Sequence, residues 1–287
     1  MKKKRKIKKV FIAGSGGFLG KSLKNKLKKN KNYNLVNYSS NKKIDLSDLN
    51  SCNKILKSLC PDIIVNCAAK TDVDFCEKNK KIAYNSNAKI VENLTNFCNR
   101  NNKKLIHIST DHLYNNPRQA NKESNTSITN YYAQSKLDGE KFAKRGKSLI
   151  LRTNFFGYSK NNKKKNLINW ILSSARSEEK IYLYKNIFFS PLYIETLTSI
   201  LVKILNTQKI GVFNLGSIDK ICKSDFILKI SKKLNIKLNF KKVDFKLLTE
   251  SQTKRPLGMA MNSSKFKKIF SIKLPRIQSE INKLSIK

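Results

Sequence analysis

The segment TNYYAQSKLDGE, residues 129–140, places a tyrosine four residues before a lysine at the predicted start of a helix. Tyr132 and Lys136 therefore share one helix face, about one turn apart. An ammonium group beside a phenol stabilises the phenolate and lowers the phenol pKa from its usual value of about 10. A phenol tuned in this way donates a proton near neutral pH, which is what the developing alkoxide needs when a ketone is reduced.

A strand end and a glycine loop supply the other parts of such a reaction. Ser109 and Thr110 close the apolar run KLIHIST, so we predict them at the carboxyl edge of a parallel sheet, where ligands bind in open α/β folds. Gly14, Gly17 and Gly20 follow the run KVFIA in G-x-x-G-x-x-G spacing. Glycine permits a tight turn and close approach to a pyrophosphate, and the helix that follows attracts negative charge at its start. An ordinary glycine-rich turn is the alternative, but the position between a strand and a helix favours a dinucleotide site.

The end of the second predicted strand bears on the choice of cofactor. An NAD site carries an acidic residue there, which accepts a hydrogen bond from the ribose 2′-hydroxyl. In this chain residues 38–43 read YSSNKK, and hydroxyl and ammonium groups, Ser39 among them, suit a 2′-phosphate better. The sequence therefore favours NADPH over NADH, and it leaves Asp45 and Leu46 to contact the adenine.

Short apolar runs alternate with amphipathic segments along the first half of the chain. This alternation predicts an α/β fold, a Rossmann-type doubly wound parallel sheet with helices on both faces. The predicted strands are 9–14, 33–39, 62–69, 104–110, 148–153 and 211–217, and the predicted helices are 18–30, 48–60, 81–100, 131–145, 166–177, 192–206 and 223–234.

The pattern loosens after about residue 154, which predicts a second part of the molecule. We expect residues 1–153 to form the NAD(P)-binding Rossmann domain. Residues 154–287 should form mainly a smaller, interleaved C-terminal substrate-binding lobe, with a segment at about 188–217 returning to the Rossmann domain. Trp170, the one tryptophan, is expected in the core of a helix of this lobe.

The composition narrows the class of protein. Hydrophobic residues make up 39% of the 287 residues, and no stretch approaches the roughly 20 apolar residues of a membrane-spanning helix. The basic start MKKKRKIKK precedes the apolar run VFIAG, which is too short for the hydrophobic region of a signal peptide. We therefore interpret this apolar run as part of the first strand. Six cysteines without a C-x-x-C pair and only two histidines indicate neither a metal site nor a disulfide framework. A reducing cytoplasm is the expected location.

The formal net charge of +41 would ordinarily suggest nucleic acid or an anionic membrane as partner. The excess is carried mostly by lysine and is spread along the chain, whereas phosphate and base recognition favours arginine and interleaved aromatic residues. A solvated surface is therefore the preferred reading, with no specific nucleic acid and no membrane insertion expected. A general attraction for anionic substrates follows in either case.

Several longer motifs resemble one family, the extended short-chain dehydrogenases/reductases, and within it the dTDP-4-dehydrorhamnose reductase-like nucleotide-sugar reductases. PDIIVNCAAKTDVDFCE (61–77) resembles the P-D-hydrophobic-N-A-A-x-T-x-V-D-x-x-E block of that family, and HISTDHLY (107–114) resembles its S-T-D-Y-V-F block. NYYAQSKLDGE, LILRTNFFGY, FFSPLYIETLTSIL and KRPLGMAMNSSKF resemble four further blocks, so the similarity runs through nearly the whole chain.

The resemblance implies a role for each matching residue. Tyr132 would be the proton donor, Lys136 would orient the nicotinamide ribose and lower the tyrosine pKa, and Thr110 would hydrogen-bond the reacting carbonyl. The residues implied to bind the cofactor are Gly14, Gly17, Phe18, Leu19, Gly20, Ser39, Asp45, Leu46, Ala68, Ala69, Lys70, Asn87, Ser109, Tyr132 and Lys136.

On the substrate side the resemblance implies Thr110, Asp111, His112, Phe155 and Arg255, with Arg255 on the diphosphate or base of the substrate nucleotide. His112 stands where the relatives often have tyrosine, and Phe155 stands where they have a substrate-stacking tryptophan. Lys70 replaces a tyrosine or arginine. The residues implied to bind the cofactor thus match the family pattern for the most part, whereas residues implied to line the sugar pocket differ from it.

The implied activity is NAD(P)H-dependent reduction of a keto group, at C4, on a nucleotide-activated deoxysugar for surface polysaccharide synthesis. A nucleotide sugar is the expected partner, with a second copy of the chain, as a homodimer, a further candidate. The alternatives are a non-catalytic NADP-binding regulatory subunit on the same fold, similar to the β subunit of methionine adenosyltransferase, a basic nucleic-acid-binding protein, and a nucleotide-sugar epimerase or dehydratase. Dehydratases of this superfamily carry Asp-Glu after the threonine, whereas here Asp111 is followed by His112.

Overall fold

The computed structural model describes residues 7–37, 44–159, 166–245 and 253–286. The chain divides into two compact units, each made of several segments. The first unit comprises Met1–Ser109, Tyr131–Leu151 and Thr198–Val212. The second unit comprises Thr110–Asn130, Arg152–Leu197 and Phe213–Lys287. A membrane could not be crossed by any helix within the described residues.

Twelve strands are present in the described part of the chain, most of them short. They are β1 (Lys8–Ala13), β2 (Tyr33–Val36), β3 (Ile63–Asn66), β4 (Lys104–Thr110), β5 (Ser148–Thr153), β6 (Phe155–Phe156), β7 (Ile181–Tyr184), β8 (Phe188–Phe189), β9 (Leu192–Tyr193), β10 (Gly211–Leu215), β11 (Ile221–Cys222) and β12 (Phe240–Val243).

Eleven α-helices accompany these strands within the same described residues. They are α1 (Phe18–Lys28), α2 (Leu49–Leu59), α3 (Val73–Lys78), α4 (Lys80–Tyr84), α5 (Ile90–Arg100), α6 (Tyr131–Lys144), α7 (Leu167–Ser177), α8 (Ile194–Ile204), α9 (Lys223–Lys233), α10 (Ser264–Phe270) and α11 (Ile277–Asn282). A π-helical turn, Asn85–Lys89, joins α4 to α5, and a 3-10 turn, Asp111–Leu113, follows β4.

The central sheet has six strands in the order β10-β5-β4-β3-β1-β2, and β1 to β4 pair in parallel. From β1 the chain moves outward to β2 and then returns to the other side of β1 as β3. Such a reversal opens a crevice at the carboxyl ends of the two strands, where ligands of doubly wound folds bind. The predicted Rossmann-type α/β fold is confirmed.

The inner strands of this sheet are largely buried, as is usual for parallel strands that are covered by helices. All four residues of β3 are buried, and one cluster on the first unit includes Phe11 of β1, Ile64 of β3, Leu56 of α2 and Leu94 of α5. Burial of each such side chain contributes roughly 1.5–3 kcal/mol to folding. This packing fixes the strand ends from which the candidate site is built.

The second unit has its own core, built around three aromatic rings. Phe226 of α9 meets Phe156 and Phe189 edge to face, with ring centroids 4.9 Å and 5.0 Å apart. Ile168 and Ile171 of α7 pack into the same cluster. Trp170 lies on the opposite face of α7 and is 36% exposed, so the expectation that it is a core residue is wrong.

Most predicted elements are present, but β3 ends at Asn66 instead of residue 69, and Leu192–Tyr193 forms β9 where the helix over 192–206 was expected to begin. The helices α3, α10 and α11 were not predicted. The largest change is in the helix expected over 81–100. That segment is α4, the π-helical turn and α5, and the turn inserts an extra residue where the segment packs on α6. The small pairs β6–β9, β7–β12 and β8–β11 were not predicted, because two to four residues are too short to show a periodic pattern.

Candidate active site

The glycine turn after β1 is held by close backbone contacts. Gly14 has φ of +77°, a conformation that favours glycine, and a Cβ there would lie 2.6 Å from the Ala68 nitrogen. A Cβ on Gly20 would collide with the Gly14 carbonyl. The Gly17 amide donates to that same carbonyl at 2.9 Å. Two of the glycines therefore let the turn, β3 and α1 approach one another.

The rim of the same turn is open. A Cβ added at Gly16 would meet nothing within 4 Å, and α1 begins at Phe18 after Gly17 without a side-chain cap. The start of α1 thus carries no side-chain cap and contributes a positive potential, which favours a phosphate group. Phe18 is partly exposed, whereas the Leu19 side chain is buried. The residues present fit the pyrophosphate of a dinucleotide.

The residues that follow β3 lie against the glycine turn, at Ala68. The Asn66 side chain accepts from the Ala68 amide at 3.0 Å, while Ala68 is partly exposed and Ala69 is exposed. Lys70 is held through its backbone, because the Asn87 side chain accepts from its amide at 2.8 Å and donates to its carbonyl at 3.0 Å. The Lys70 ammonium lies over the Phe75 ring, 4.8 Å from its centroid.

The end of β2 is described only up to residue 37, so Ser39 and the two lysines at 42 and 43 lie outside the described residues. Asp45 is exposed, and its carboxylate accepts from the amide and the hydroxyl of Ser47 at 2.8 Å and 2.7 Å. Leu46 is buried in the hydrophobic cluster, and its carbonyl accepts from Asn93. The Leu46 side chain is therefore committed to the core, and its carbonyl is already hydrogen-bonded.

The tyrosine–lysine pair lies in the first two turns of α6. Lys136 is only 2% exposed, and its ammonium donates to the Ile108 carbonyl of β4 at 2.8 Å. Tyr132 is 6% exposed and belongs to a buried cluster with Val73, Cys76 and Ala83. The pair is thus fixed against the carboxyl end of the sheet.

Burial lowers the pKa of Lys136 to about 8, and the nearby Glu140 carboxylate and Cys67 thiol oppose that shift. The charge of Lys136 in turn helps burial to lower the pKa of His107, and it opposes the rise that burial causes in the pKa of Cys67. Cys67 directly precedes Ala68, the residue that meets Gly14. Lys136 and the glycine turn therefore converge on the same end of β3.

Two hydrogen bonds position α6. The Ser109 hydroxyl donates to the Glu140 carboxylate at 2.6 Å, and the Asn87 side chain donates to the Ser135 hydroxyl at 2.9 Å. Ser109, predicted to bind the cofactor, therefore commits its hydroxyl proton to Glu140. Asn87 connects the start of α6 to Lys70.

In the second unit, Thr110 ends β4 and begins the 3-10 turn. Its hydroxyl accepts from the His112 amide at 3.2 Å and lies 3.4 Å from the Asp111 carboxylate. Asp111 is 1% exposed and accepts from the Asn154 side chain at 2.6 Å. Burial raises the pKa of Asp111 to about 7, although the Asn154 hydrogen bond and the charge of Lys223 act to lower it.

The other predicted substrate residues, His112, Phe155 and Arg255, also lie in the second unit. Burial lowers the pKa of His112 to about 3, and the positive charges of Lys223 and Arg255 lower it further. Arg255 and Phe155 are both partly exposed. Within the second unit, the charge of Lys223 thus acts on both Asp111 and His112, and the charge of Arg255 acts on His112.

Some positioning residues were missed in the sequence. Glu140 lies four residues after Lys136, so the helical spacing that identified Lys136 could also have identified this carboxylate. Asn154 and Lys223 come together with Asp111 from distant segments, and no local pattern marks them. The Glu77 carboxylate accepts from the Tyr131 amide at the start of α6 at 2.8 Å, and Asp72 caps α3.

Known proteins resemble this chain in sequence and in fold. The dTDP-4-dehydrorhamnose reductase of Aggregatibacter actinomycetemcomitans is 29% identical over 238 residues, 77% of each chain. The Escherichia coli protein of the same name is 27% identical over 256 residues, 84% of each chain. A crystal structure of a dTDP-4-dehydrorhamnose reductase from Bacillus anthracis, in complex with NADP, superimposes with a TM-score of 0.88 at 24% identity, covering 97% of this chain and 99% of that one.

A family model is matched over almost the full length of the chain. Its description is the RmlD substrate binding domain, and the match extends over residues 8–286, which include the glycine turn, the tyrosine–lysine pair and Asp111. The family resemblance inferred from the sequence motifs is thereby confirmed. The chain belongs to the RmlD substrate binding domain family.

Proposed function

We propose that this chain uses NADPH to reduce a keto group, at C4, of a nucleotide-activated deoxysugar resembling dTDP-4-dehydrorhamnose. The product would serve surface polysaccharide synthesis. The relatives named above support the reaction class, and the NADP bound to the Bacillus anthracis reductase supports the choice of cofactor. The reaction would take place in the cytoplasm, with a homodimer as the proposed assembly.

Each part of the first unit has a proposed task in this reaction. The open rim of the glycine turn and the start of α1 would hold the pyrophosphate, and Ala68 and Ala69 would line the channel of the cofactor. NADPH, when bound, supplies the hydride for the carbonyl carbon. Asn87 and Ser109 would act indirectly, because their side chains fix Lys70 and α6.

Three residues would handle the proton and the carbonyl oxygen. Tyr132 would donate a proton to that oxygen as negative charge develops on it. Lys136 would orient the nicotinamide ribose and favour the phenolate form of Tyr132. The Thr110 hydroxyl would donate a hydrogen bond to the same oxygen.

One observation carries the proposal: the buried Lys136 ammonium and the glycine turn converge on the carboxyl end of β3, at Cys67 and Ala68. A buried ammonium is costly to keep in a fold, since burial disfavours its charge. A catalytic role beside a dinucleotide site would account for a charge that is kept at this position.

The variant Tyr132→Phe tests the assignment of the proton donor. We expect its turnover to fall by about 10²–10⁴-fold, which is the usual contribution of a general acid. NADPH affinity should stay nearly unchanged, because the phenyl ring keeps its place in the buried cluster. The measurement is the loss of NADPH absorbance with dTDP-4-dehydrorhamnose as substrate, together with a fluorescence titration of the cofactor.

Tyr131→Phe is the matched control. Tyr131 precedes Tyr132 on α6, and its partly buried ring lies under the Lys80 ammonium at 5.6 Å. Loss of its hydroxyl should leave turnover within about twofold, since no role in proton transfer is assigned to it. Equal turnover of the Tyr132→Phe variant and the wild type would remove Tyr132 from the mechanism.

A further inference from the structure

Asn154 connects two segments of the second unit at a buried carboxyl group. It lies between β5 and β6, and its backbone carbonyl accepts from the Leu192 amide of β9 at 2.9 Å. Its side-chain amide donates to the Oδ2 atom of Asp111 at 2.6 Å. Because the pairing of β6 with β9 fixes the backbone next to Asn154, this amide has a defined place beside the 3-10 turn.

The other oxygen of the Asp111 carboxyl group faces Thr110. The Oδ1 atom of Asp111 lies 3.4 Å from the Thr110 hydroxyl, and that hydroxyl also accepts from the His112 amide at 3.2 Å. The side chains of Thr110 and Asp111 are both buried. The two carboxyl oxygens therefore differ in their partners, because an amide donor approaches Oδ2 whereas a hydroxyl approaches Oδ1.

The Asp111 carboxyl group keeps its proton up to about neutral pH, since burial raises its pKa to about 7. The Asn154 hydrogen bond and the charge of Lys223 on α9 act to lower this pKa. His112, on the same turn, stays neutral with a pKa of about 3, and the charge of Arg255 acts on His112 and Lys223. Below about pH 7 the neighbour of Thr110 is thus a neutral carboxylic acid.

The hydrogen bond from Asn154 decides which oxygen of this acid carries the proton. A carboxylic acid donates through one oxygen and accepts through the other. Since the Asn154 amide donates to Oδ2, that oxygen is the acceptor, and the proton lies on Oδ1 towards Thr110. The Thr110 hydroxyl has two lone pairs and one proton. With the His112 amide and the Asp111 acid donating to its lone pairs, the hydroxyl keeps its own proton for a further acceptor.

We propose that Asn154 is a positioning residue of the reaction: it directs the Asp111 proton to Thr110, so that the Thr110 hydroxyl donates its own proton to the substrate carbonyl oxygen. This inference rests on the proposed function for the identity of that oxygen. An ionised Asp111 would instead accept from Thr110 and turn its proton away from the substrate. The distance of 3.4 Å is long for a hydrogen bond between oxygens, and such bonds in active sites tighten when substrate binds.

The first test titrates Asp111 in the free full-length protein, by carbon-13 NMR of protein labelled at its aspartates. The Asp111→Asn variant assigns the resonance. Asn154→Leu removes the amide donor, so we expect the pKa of Asp111 to rise by about one to two units, as for loss of a hydrogen bond to a charged group. Asn154→Ser, which keeps a shorter donor, should give a smaller rise. An unchanged or lowered pKa in Asn154→Leu would mean that Asn154 does not donate to the carboxyl group.

The second test compares two replacements of Asp111 in turnover. The asparagine side chain of Asp111→Asn has one accepting and one donating atom, as the neutral acid has, whereas Asp111→Leu has neither. We expect the kcat of Asp111→Asn to exceed that of Asp111→Leu by roughly tenfold or more, since the leucine leaves the Thr110 proton without direction.

The pH dependence of kcat separates this role from a merely structural one. In the wild type kcat should fall as pH rises through about 7, because Asp111 then loses its proton. This fall should be absent in Asp111→Asn and should move to higher pH in Asn154→Leu. A loss of activity at still higher pH that Asp111→Asn retains belongs to the Tyr132 phenol.

Asn186→Leu is the matched control. Asn186 is a partly buried asparagine of the same unit, and its side chain exchanges two hydrogen bonds with the Phe245 backbone. This variant loses a comparable amide and should leave both the pKa of Asp111 and the pH profile of kcat unchanged. NADPH affinity equal to the wild type checks that each variant is folded.

Two results would overturn the inference while leaving the proposed reductase intact. One is a wild type that reduces the keto sugar although the pKa of Asp111 does not rise in Asn154→Leu. The other is equal kcat of Asp111→Asn and Asp111→Leu, which would show that Thr110 needs no donor beside it. A pKa that rises as expected in a protein that never oxidises NADPH would instead sink the proposed function.

Discussion

Asp111 shows how strongly one side chain can depend on its surroundings. Its carboxyl lies one residue beyond Thr110, is almost fully buried, and has a pKa of about 7 because burial outweighs the Asn154 hydrogen bond and the Lys223 charge. His112, with a pKa of about 3, stays neutral throughout the physiological range. Of these two groups, Asp111 is therefore the one whose charge changes near neutral pH.

The ionisation of Asp111 predicts a pH dependence of stability. Between about pH 4 and pH 7 the unfolded chain releases this proton while the folded chain keeps it, so the free energy of unfolding falls as pH rises through this window. The Asp111→Asn variant has no carboxyl group at this position, so its free energy of unfolding should lack this pH dependence. Relative to wild type, the variant should gain up to about 4 kcal/mol between pH 4 and pH 7, and no more above it.

Urea unfolding of both proteins at several pH values checks this expectation. Asparagine keeps an oxygen for the Asn154 hydrogen bond, so the comparison isolates the charge. A stability difference that stays constant from pH 4 to pH 8 would mean that the Asp111 carboxyl titrates as in water.

At the residue scale, the sequence predicted those groups whose role follows from local spacing. Tyr132 and Lys136 were found because helical geometry alone places them on one face. Lys223 could not be found in this way, since its charge acts on the pKa of Asp111 although the two residues are more than a hundred positions apart in the sequence. Sequence patterns also mistook Trp170 for a core residue, because the single ring gave no indication of which face of α7 it occupies.

The contact between α6 and the π-helical turn is the main feature at the scale of elements. Gly139 lies in the middle of α6, and a Cβ there would collide with the Asn87 carbonyl. The same Asn87 connects Lys70 to Ser135 through its side chain. The close approach of α6 to the π-helical turn thus helps to fix the position of Lys136 relative to β4.

This contact reverses the usual effect of replacing a helical glycine. Gly-to-Ala changes inside helices normally stabilise by roughly 0.5–1 kcal/mol. Gly139→Ala should instead destabilise by about 1–3 kcal/mol, because α6 must move off the π-helical turn to make room. The measurement is urea unfolding, with turnover as a second readout, since a shifted α6 misplaces the tyrosine–lysine pair.

Gly16→Ala is the control for the added methyl group. Nothing lies within 4 Å of a Cβ at that position, so stability should change by less than about 0.5 kcal/mol. A Gly139→Ala variant that is more stable than the wild type would show that α6 and the π-helical turn are not in such close contact.

The strand bounds of the main sheet followed from the sequence only in part, since β3 spans Ile63–Asn66 instead of 62–69 and β10 spans Gly211–Leu215 instead of 211–217. β4 and β5 have the predicted bounds, 104–110 and 148–153. The π-helical turn could not be predicted, because its extra residue is a response to packing against α6 and leaves no mark on the apolar spacing.

At the scale of the whole molecule, the fold class and the family were both accessible from the sequence. Strand–helix alternation predicted the doubly wound sheet, and motifs distributed along the chain indicated the family that the match over residues 8–286 confirms. The net charge of +41 carries less information about function than its size suggests. Its one clear consequence is attraction for anionic ligands such as nucleotides, which weakens as salt rises.

The central claim is that hydride passes from NADPH to a keto sugar on this protein. The most direct measurement uses NADPH carrying deuterium at both positions of nicotinamide C4, together with dTDP-4-dehydrorhamnose, and analyses the sugar product by mass spectrometry. The account predicts one oxidised cofactor per product molecule and one deuterium in each product. Unchanged NADPH, or a product without deuterium as an epimerase or dehydratase would give, would contradict it.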